Sequence, residues 1–318
     1  MIISASRRTD IPAFYGEWFM NRLKDGEVLV RNPMNSKQVT RVYLTPEKVD
    51  CIVFWTKNPS EFIKYLPQID SMGYKYYFLF TLTSYDQSVE VNVDKKKKII
   101  DIFKQLSNAV GKEKVIWRYD PILLTASYNK DYHFKWFEYL AQNLSSYTDE
   151  CIISFLSFYN KVKRNMGDIK CVLPEMPMIE LFAEHFARIS KKYGISLYTC
   201  SHEFDLDKYG IGHAKCVDDQ IIEKITGNIL RLKKDKSQRE ECGCVESKDI
   251  GAYNSCNHGC IYCYANCSEG KVRLNVSGYD PYSPMLCDSL TGNEKIVDLI
   301  VKSNKIIKYK DNQFDVFE

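Results

Sequence analysis

Cys51-Ile52-Val53-Phe54-Trp55-Thr56-Lys57-Asn58-Pro59 is the stretch whose reading decides the fold. Its apolar run is too short for a helix and apolar on both faces, as a parallel strand covered on either side requires. It then turns polar at Thr56-Lys57-Asn58, and Pro59 opens a helix-patterned run to Met72. The same unit recurs along the chain. Strands are expected at Ile2–Ser6, Cys51–Thr56, Tyr76–Thr83, Val115–Tyr119, Cys151–Ser157 and Ile195–Cys200. Helices are expected at about Pro12–Lys24, Pro59–Met72, Val93–Leu106, Tyr132–Asn143, Pro177–Tyr193 and Asp218–Leu230. Six β-then-α units in succession predict an α/β fold with a parallel sheet: a (β/α) barrel, complete or partial, with a doubly wound open sheet as its competitor. An extra hairpin, Val28–Arg31 with Val39–Leu44, interrupts the first repeat.

Composition sets the limits. With 318 residues, 45% of them hydrophobic, the chain can bury a sizeable core. A net charge of +3 and the lack of a basic stripe do not support nucleic acid or an anionic membrane as partner. No run approaches the ~20 apolar residues of a membrane helix, and Met1–Arg8 lacks the apolar stretch of a secretion signal. A cytoplasmic protein is therefore expected, and twelve cysteines in a reducing compartment read as thiols and metal ligands. The charged run Arg231–Glu241 divides a barrel domain, 1–230, from a cysteine-rich segment, 231–318, expected to bind an iron–sulfur cluster.

The strands end in polar groups: Ser6-Arg7-Arg8-Thr9-Asp10, Thr56-Lys57-Asn58, Thr81 to Asp86, Arg118-Tyr119-Asp120, Ser157 to Lys161, and Thr199 to Glu203. In a β/α barrel these ends share one face, where ligands sit. Arg118 and Asp120 share one side of their strand, as do Arg8 and Asp10, so either pair can offer a fork for a carboxylate with its own counterion. Lys57, Arg118 and Asp120 are the rim candidates for catalysis. Arg7, Arg8 and Asp10 are candidates for holding a cofactor's polar groups. Among the histidines, His133 and His185 read as packing or surface residues, His202 and His213 as rim groups, and His258 as support for the cysteine loop.

Six of the twelve cysteines lie between positions 242 and 267, and three of them are spaced Cys256-x3-Cys260-x2-Cys263 before Tyr264. Three thiolates on one short loop can reach three corners of an iron–sulfur cube and leave the fourth iron open to a small molecule. Counting Cys267 gives four thiolates, and zinc or a closed electron-transfer cluster then competes. Cys216, Cys242 and Cys244 are candidate ligands of a second cluster or metal, and Cys200 ends a strand at the rim.

Cys256-Asn257-His258-Gly259-Cys260-Ile261-Tyr262-Cys263-Tyr264 resembles the CxxxCxxC signature of radical S-adenosylmethionine (SAM) enzymes, and its Tyr-Cys-Tyr ending resembles the spore photoproduct lyase branch. Over its whole length the chain resembles an uncharacterised bacterial family described only as a domain of unknown function. Ser6 to Pro12, Phe54 to Pro59 and Asp249-Ile250-Gly251 carry that second likeness. The first resemblance implies a 4Fe–4S cluster on Cys256, Cys260 and Cys263, SAM on the open iron, and Tyr264 against the adenine. It further implies a one-electron donor such as flavodoxin or ferredoxin, reductive cleavage of SAM, and hydrogen abstraction from a substrate in the barrel mouth. One departure stands out: in most of that superfamily the motif follows the first strand, whereas here all six expected strands precede it.

Overall fold

The computed structural model describes residues 1–167, 169–300 and 303–306. Its strands are β1 (Ile2–Ala5), β2 (Glu27–Asn32), β3 (Asn35–Tyr43), β4 (Cys51–Thr56), β5 (Tyr76–Thr81), β6 (Val115–Ile122), β7 (Glu150–Phe155), β8 (Ser196–Thr199), β9 (Gly212–His213), β10 (Lys248–Asp249) and β11 (Lys295–Asp298). The helices are α1 (Ile11–Phe14), α2 (Gly16–Asp25), α3 (Leu66–Ser71), α4 (Lys96–Val110), α5 (Lys130–Leu144), α6 (Asn160–Met166), α7 (Met176–Tyr193), α8 (Asp219–Thr226) and α9 (Glu269–Ser277).

Eight strands form one parallel sheet in the order β10-β1-β4-β5-β6-β7-β8-β9. From β1 to β9 sequence order is spatial order, without the reversal that marks a doubly wound sheet. All six expected strands are present. Three strands were not expected: β9 and β10, whose two residues carry no periodicity to read, and the four-residue β11. β10 lies beyond the boundary placed near residue 231 yet belongs to the main sheet, and β11 pairs with β3 beside the expected β2–β3 hairpin. The expected boundary therefore does not separate sheet from cysteine segment.

The two faces of the sheet are buried differently. Phe54, Phe78, Phe80, Trp117 and Tyr119 pack outward against Phe19, Phe103, Phe137 and Phe186 of the helices. Ile2, Val53, Tyr77, Leu79, Ile116 and Ile152 point to the other face and pack with Cys200, Cys216, Cys242 and Cys244. Tyr77 of β5 donates its hydroxyl to the carbonyl of Cys216, 2.7 Å away, beyond β9. In a flat sheet β5 and β9 would stand about 19 Å apart, four spacings of about 4.8 Å, out of a tyrosine's reach. The sheet therefore curls around this inner face. Val245 N–H donates to Val217 O at 3.1 Å, tying the approach to β10 to the segment after β9.

Helix starts follow local chemistry. Asn129 accepts from Tyr132 N–H and Asp218 from Gln220 N–H, so α5 and α8 begin where a polar cap precedes an apolar run. The expected helix from Pro12 is split at Tyr15, which leaves helical geometry and hydrogen-bonds Ser255 O through its hydroxyl. Helices α6 and α9 were not anticipated. No helix among the described residues is long and apolar enough to cross a membrane.

His133 is a packing residue, as its sequence context indicates. Its Nε2–H donates to Leu123 O and its Nδ1 accepts from the Tyr119 hydroxyl, both at 2.8 Å. Burial pushes it down from 6.5 to about 4. The unfolded chain thus binds a proton that the folded protein refuses, so this stability is present above pH 6.5 and lost as pH falls toward 4. We expect His133→Gln to flatten the pH dependence of the unfolding free energy in that window by about 3 kcal/mol at most. An unchanged slope would show that this ring is not the titrating group.

Candidate functional site

The strand ends meet as their polarity implies. A cavity of about 530 Å³ is lined by Arg7 and Asp10 after β1, Lys57 after β4, Thr81 of β5, Arg118 and Asp120 of β6, Ser154 to Ser157 at the end of β7, and Cys200 after β8. Cys256, Cys260, Cys263 and Tyr264 form another part of its wall. Cys267 does not line it.

The cysteine loop is held there by a segment that sequence reading passed over. Glu90 and Cys260 pair as antiparallel backbone, Ile261 N–H donates to Val89 O at 3.0 Å, and Asn92 N–H donates to His258 O at 2.9 Å. Gly259 has φ +65°, and a Cβ there would stand 3.2 Å from Asn92 Nδ2 and Val91 Cβ. Glycine is what lets the loop turn this close to its clamp.

Glu90 itself is buried at 1% exposure and gathers four partners. Lys57 Nζ lies 2.6 Å away and the Thr83 hydroxyl donates at 2.7 Å, while Lys96 and the Tyr262 hydroxyl bond the same carboxylate. Burial opposes its ionisation, yet Lys57 and Lys96 hold the carboxyl well below the usual range. Lys57 is thereby kept charged, its burial offset by Glu90 and by the neighbouring Cys260. No sequence signal singled out Glu90, because a lone glutamate in a loop reads as a surface charge until its neighbours are known.

The turn after β1 is built on Asp249. Its carboxylate accepts from the Ser4 hydroxyl (2.7 Å), the Ser6 hydroxyl (2.8 Å), Arg7 N–H (2.7 Å) and Gly251 N–H (3.0 Å). A Cβ on Gly251 would meet Ser6 Oγ at 2.1 Å, so the segment after β10 can approach β1 only without a side chain. The expected pairing of Arg8 with Asp10 does not form. β1 ends at Ala5, so these residues sit in a turn where strand alternation no longer applies. Arg8 instead faces Asp249 at 3.7 Å. Asp10 accepts from Ala13 N–H (3.0 Å) and Lys57 N–H (2.7 Å), and its Oδ2 lies 2.7 Å from His258 Nε2. Arg118 and Asp120 lie within β6, alternation holds, and they form an ion pair.

His202 and His213 do not line the cavity. His202 Nε2 accepts from Phe155 N–H at 3.0 Å, and burial lowers it to about 4. Tyr264 donates its hydroxyl to Arg7 O at 2.8 Å, and its ring lies 6.2 Å from that of Tyr159.

The three loop thiols share one environment. Burial pushes the Cys260 thiol up to about 12, and Lys57 pulls against that shift. Cys256 is raised by burial and then by Cys263, Asp10 and Cys260, and the three thiols line one cavity. Ala265 N–H donates to Cys263 Sγ at 3.3 Å. Among the described residues, no group of three or more His, Cys, Asp or Glu side chains is already arranged to hold a metal ion. A cube takes one sulfur per iron, so its ligands face a shared volume and need not surround one point. The donor set therefore fits such a cluster.

Buried polar atoms point the same way. Among the described residues, Arg7 Nη2, Thr9 Oγ1, Arg118 Nε and His258 Nδ1 have no hydrogen-bond partner, and all four residues line the cavity. Buried donors are rarely left unpaired, so such atoms in a cavity mark where a ligand binds.

No curated protein and no solved structure matches the chain. A family model described as a domain of unknown function (DUF1848) matches residues 2–265, from β1 through the cysteine loop to the residue after Tyr264, and the chain belongs to that family.

Proposed function

We propose that this protein is a radical SAM-type enzyme whose sheet is a partial (β/α) barrel. One observation carries the reading: three thiols, without Cys267, occupy the wall of a cavity lined by six strand ends. Sequential strand order and the strong curl of the sheet favour the barrel. Cys256, Cys260 and Cys263 would hold the cluster. Bound there, a 4Fe–4S cluster with SAM on its open iron supplies reductive cleavage of the sulfonium and, through it, hydrogen-atom abstraction from a substrate.

The chain's own residues position and exclude. Lys57, fixed by Glu90, sets a positive charge beside Cys260 and favours its thiolate form. Asp10 orients His258 so that its unpaired Nδ1 is available to a ligand. Tyr264 and Tyr159 offer an aromatic wall for an adenine ring. Arg7, Arg8 and the Arg118–Asp120 pair present polar groups to SAM and substrate. Tyr85, Val89, Leu123, Leu156, Val162 and Tyr262 pack as an apolar layer beside the loop and keep water from it. The twelve cysteines are unpaired thiols in the structure, which fits a reducing, cytoplasmic setting and a donor such as flavodoxin or ferredoxin.

Anaerobic reconstitution is the test. We expect brown protein with about four irons and four sulfides per chain at this loop, and 5′-deoxyadenosine released when a reductant and SAM are added. A colourless protein with zinc on Cys256, Cys260 and Cys263 would overturn the reading.

A further inference from the structure

A second group of thiols lines the same cavity. Cys200 Sγ and Cys216 Sγ are 3.4 Å apart. Cys244 accepts from Val217 N–H, the residue after Cys216, at 3.4 Å, and Cys242 stands two residues before it on the same cavity wall. Their exposures are 9%, 5%, 7% and 2% for Cys200, Cys216, Cys242 and Cys244, and all four line the cavity. They come from three places: the end of β8, the segment after β9, and the loop before β10. That loop is also held by Val245 N–H on Val217 O. Four buried cysteines drawn from three segments are not needed to fill an apolar core, where one or two would serve.

The geometry points to a tetrahedral four-thiolate site for one zinc ion, made by Cys200, Cys216, Cys242 and Cys244. A zinc–sulfur bond of about 2.3 Å sets the edge of such a tetrahedron at about 3.8 Å. The Cys200–Cys216 separation falls about 0.4 Å short of that edge. The side chains are not already arranged around an ion, so they must turn and spread slightly to receive it. A cubane fits less well, since each of its thiolates holds a different iron and the sulfurs stand farther apart than thiols in contact.

Charge supports the same assignment. Loading Zn²⁺ onto four thiols releases four protons and leaves a site of charge −2. Two guanidiniums, Arg7 and Arg118, line the same cavity as the four thiols. Arg118 Nε and Arg7 Nη2 are among the buried N–H groups without a partner among the described residues. Arg118 is paired with Asp120 and Arg7 lies 3.8 Å from Asp235, yet each keeps one buried N–H free, and zinc thiolates would accept those two hydrogen bonds while the guanidiniums offset part of their charge. In this role the ion staples the open edge of the sheet, joining the end of β8 to the approach to β10.

The site shares no residue with the loop cluster, so the two can fail separately. We expect about one equivalent of zinc in the full-length protein. It should remain in the Cys256→Ala/Cys260→Ala/Cys263→Ala variant and be lost from Cys216→Ser/Cys244→Ser. After chelation, Co²⁺ added to the loop variant should give the intense sulfur-to-cobalt charge-transfer absorption and the visible bands of a tetrahedral thiolate site. That arm decides the matter even if Cys216→Ser/Cys244→Ser fails to fold. A loop variant that shows no charge transfer with Co²⁺, retains iron and sulfide in place of zinc, or carries a Cys200–Cys216 disulfide as isolated would overturn the assignment.

Discussion

Glu90→Ala is expected to cost about 3–5 kcal/mol of stability, because it strands two ammonium groups that its carboxylate holds in the protein. The side chains of Lys57 and Lys96 are each 12% exposed, so water cannot take over for the lost partner. The Tyr262 hydroxyl, which bonds the same carboxylate, is orphaned as well. The measurement is the shift of the urea midpoint at constant m-value. Glu90→Gln should fall between wild type and Glu90→Ala, since it keeps the shape and loses the charge. A combined Lys57→Met/Glu90→Leu/Lys96→Met variant should recover much of the loss, because removing a whole buried ionic group costs far less than breaking it. Should Glu90→Ala unfold at the wild-type midpoint, these charges are not held as one buried unit, and the clamp on the cysteine loop loses its anchor.

The second large effect separates the members of the cysteine run. Alanine at Cys256, Cys260 or Cys263 is expected to strip the cluster and reduce SAM cleavage by roughly a hundredfold or more, since even losing a partner of a ligand costs 10–100-fold. Cys267→Ala should keep full iron and sulfide content, because Cys267 lies off the cavity wall. Its N–H is engaged by Asn254 Oδ1 at 2.6 Å, and Arg164 bonds its carbonyl at 3.0 Å. Iron analysis and 5′-deoxyadenosine release read both outcomes. Loss of the cluster in Cys267→Ala would mean four ligands, and the open iron on which the proposal depends would be gone.

Sequence reading placed the six strands and the hairpin because each rests on local pattern: short apolar runs, polar caps, proline at a helix start. It located the rim by the same logic, since polar groups at strand ends are visible residue by residue. The Arg118–Asp120 pair followed from alternation within one strand, whereas Arg8–Asp10 failed because the chain had already left β1. Glu90 was invisible for a different reason: its partners come from the turn after β4, the turn after β5, the start of α4 and the cysteine loop.

The amino-acid order by itself determined the β/α rhythm, the polar rim and the spacing of Cys256, Cys260 and Cys263. Hydrophobic period and covalent spacing are properties of neighbours along the chain. Only the tertiary structure decided that Cys200 meets Cys216 in the cavity that Cys242 and Cys244 also line, that Cys267 stands aside, and that Glu90 clamps the loop. Those pairings close over separations of 16 residues for Cys200–Cys216 and 172 for Glu90–Tyr262, which no local pattern encodes. They arise when a curled sheet brings distant loops to one mouth, where a buried charge or thiol must find a partner or remain costly.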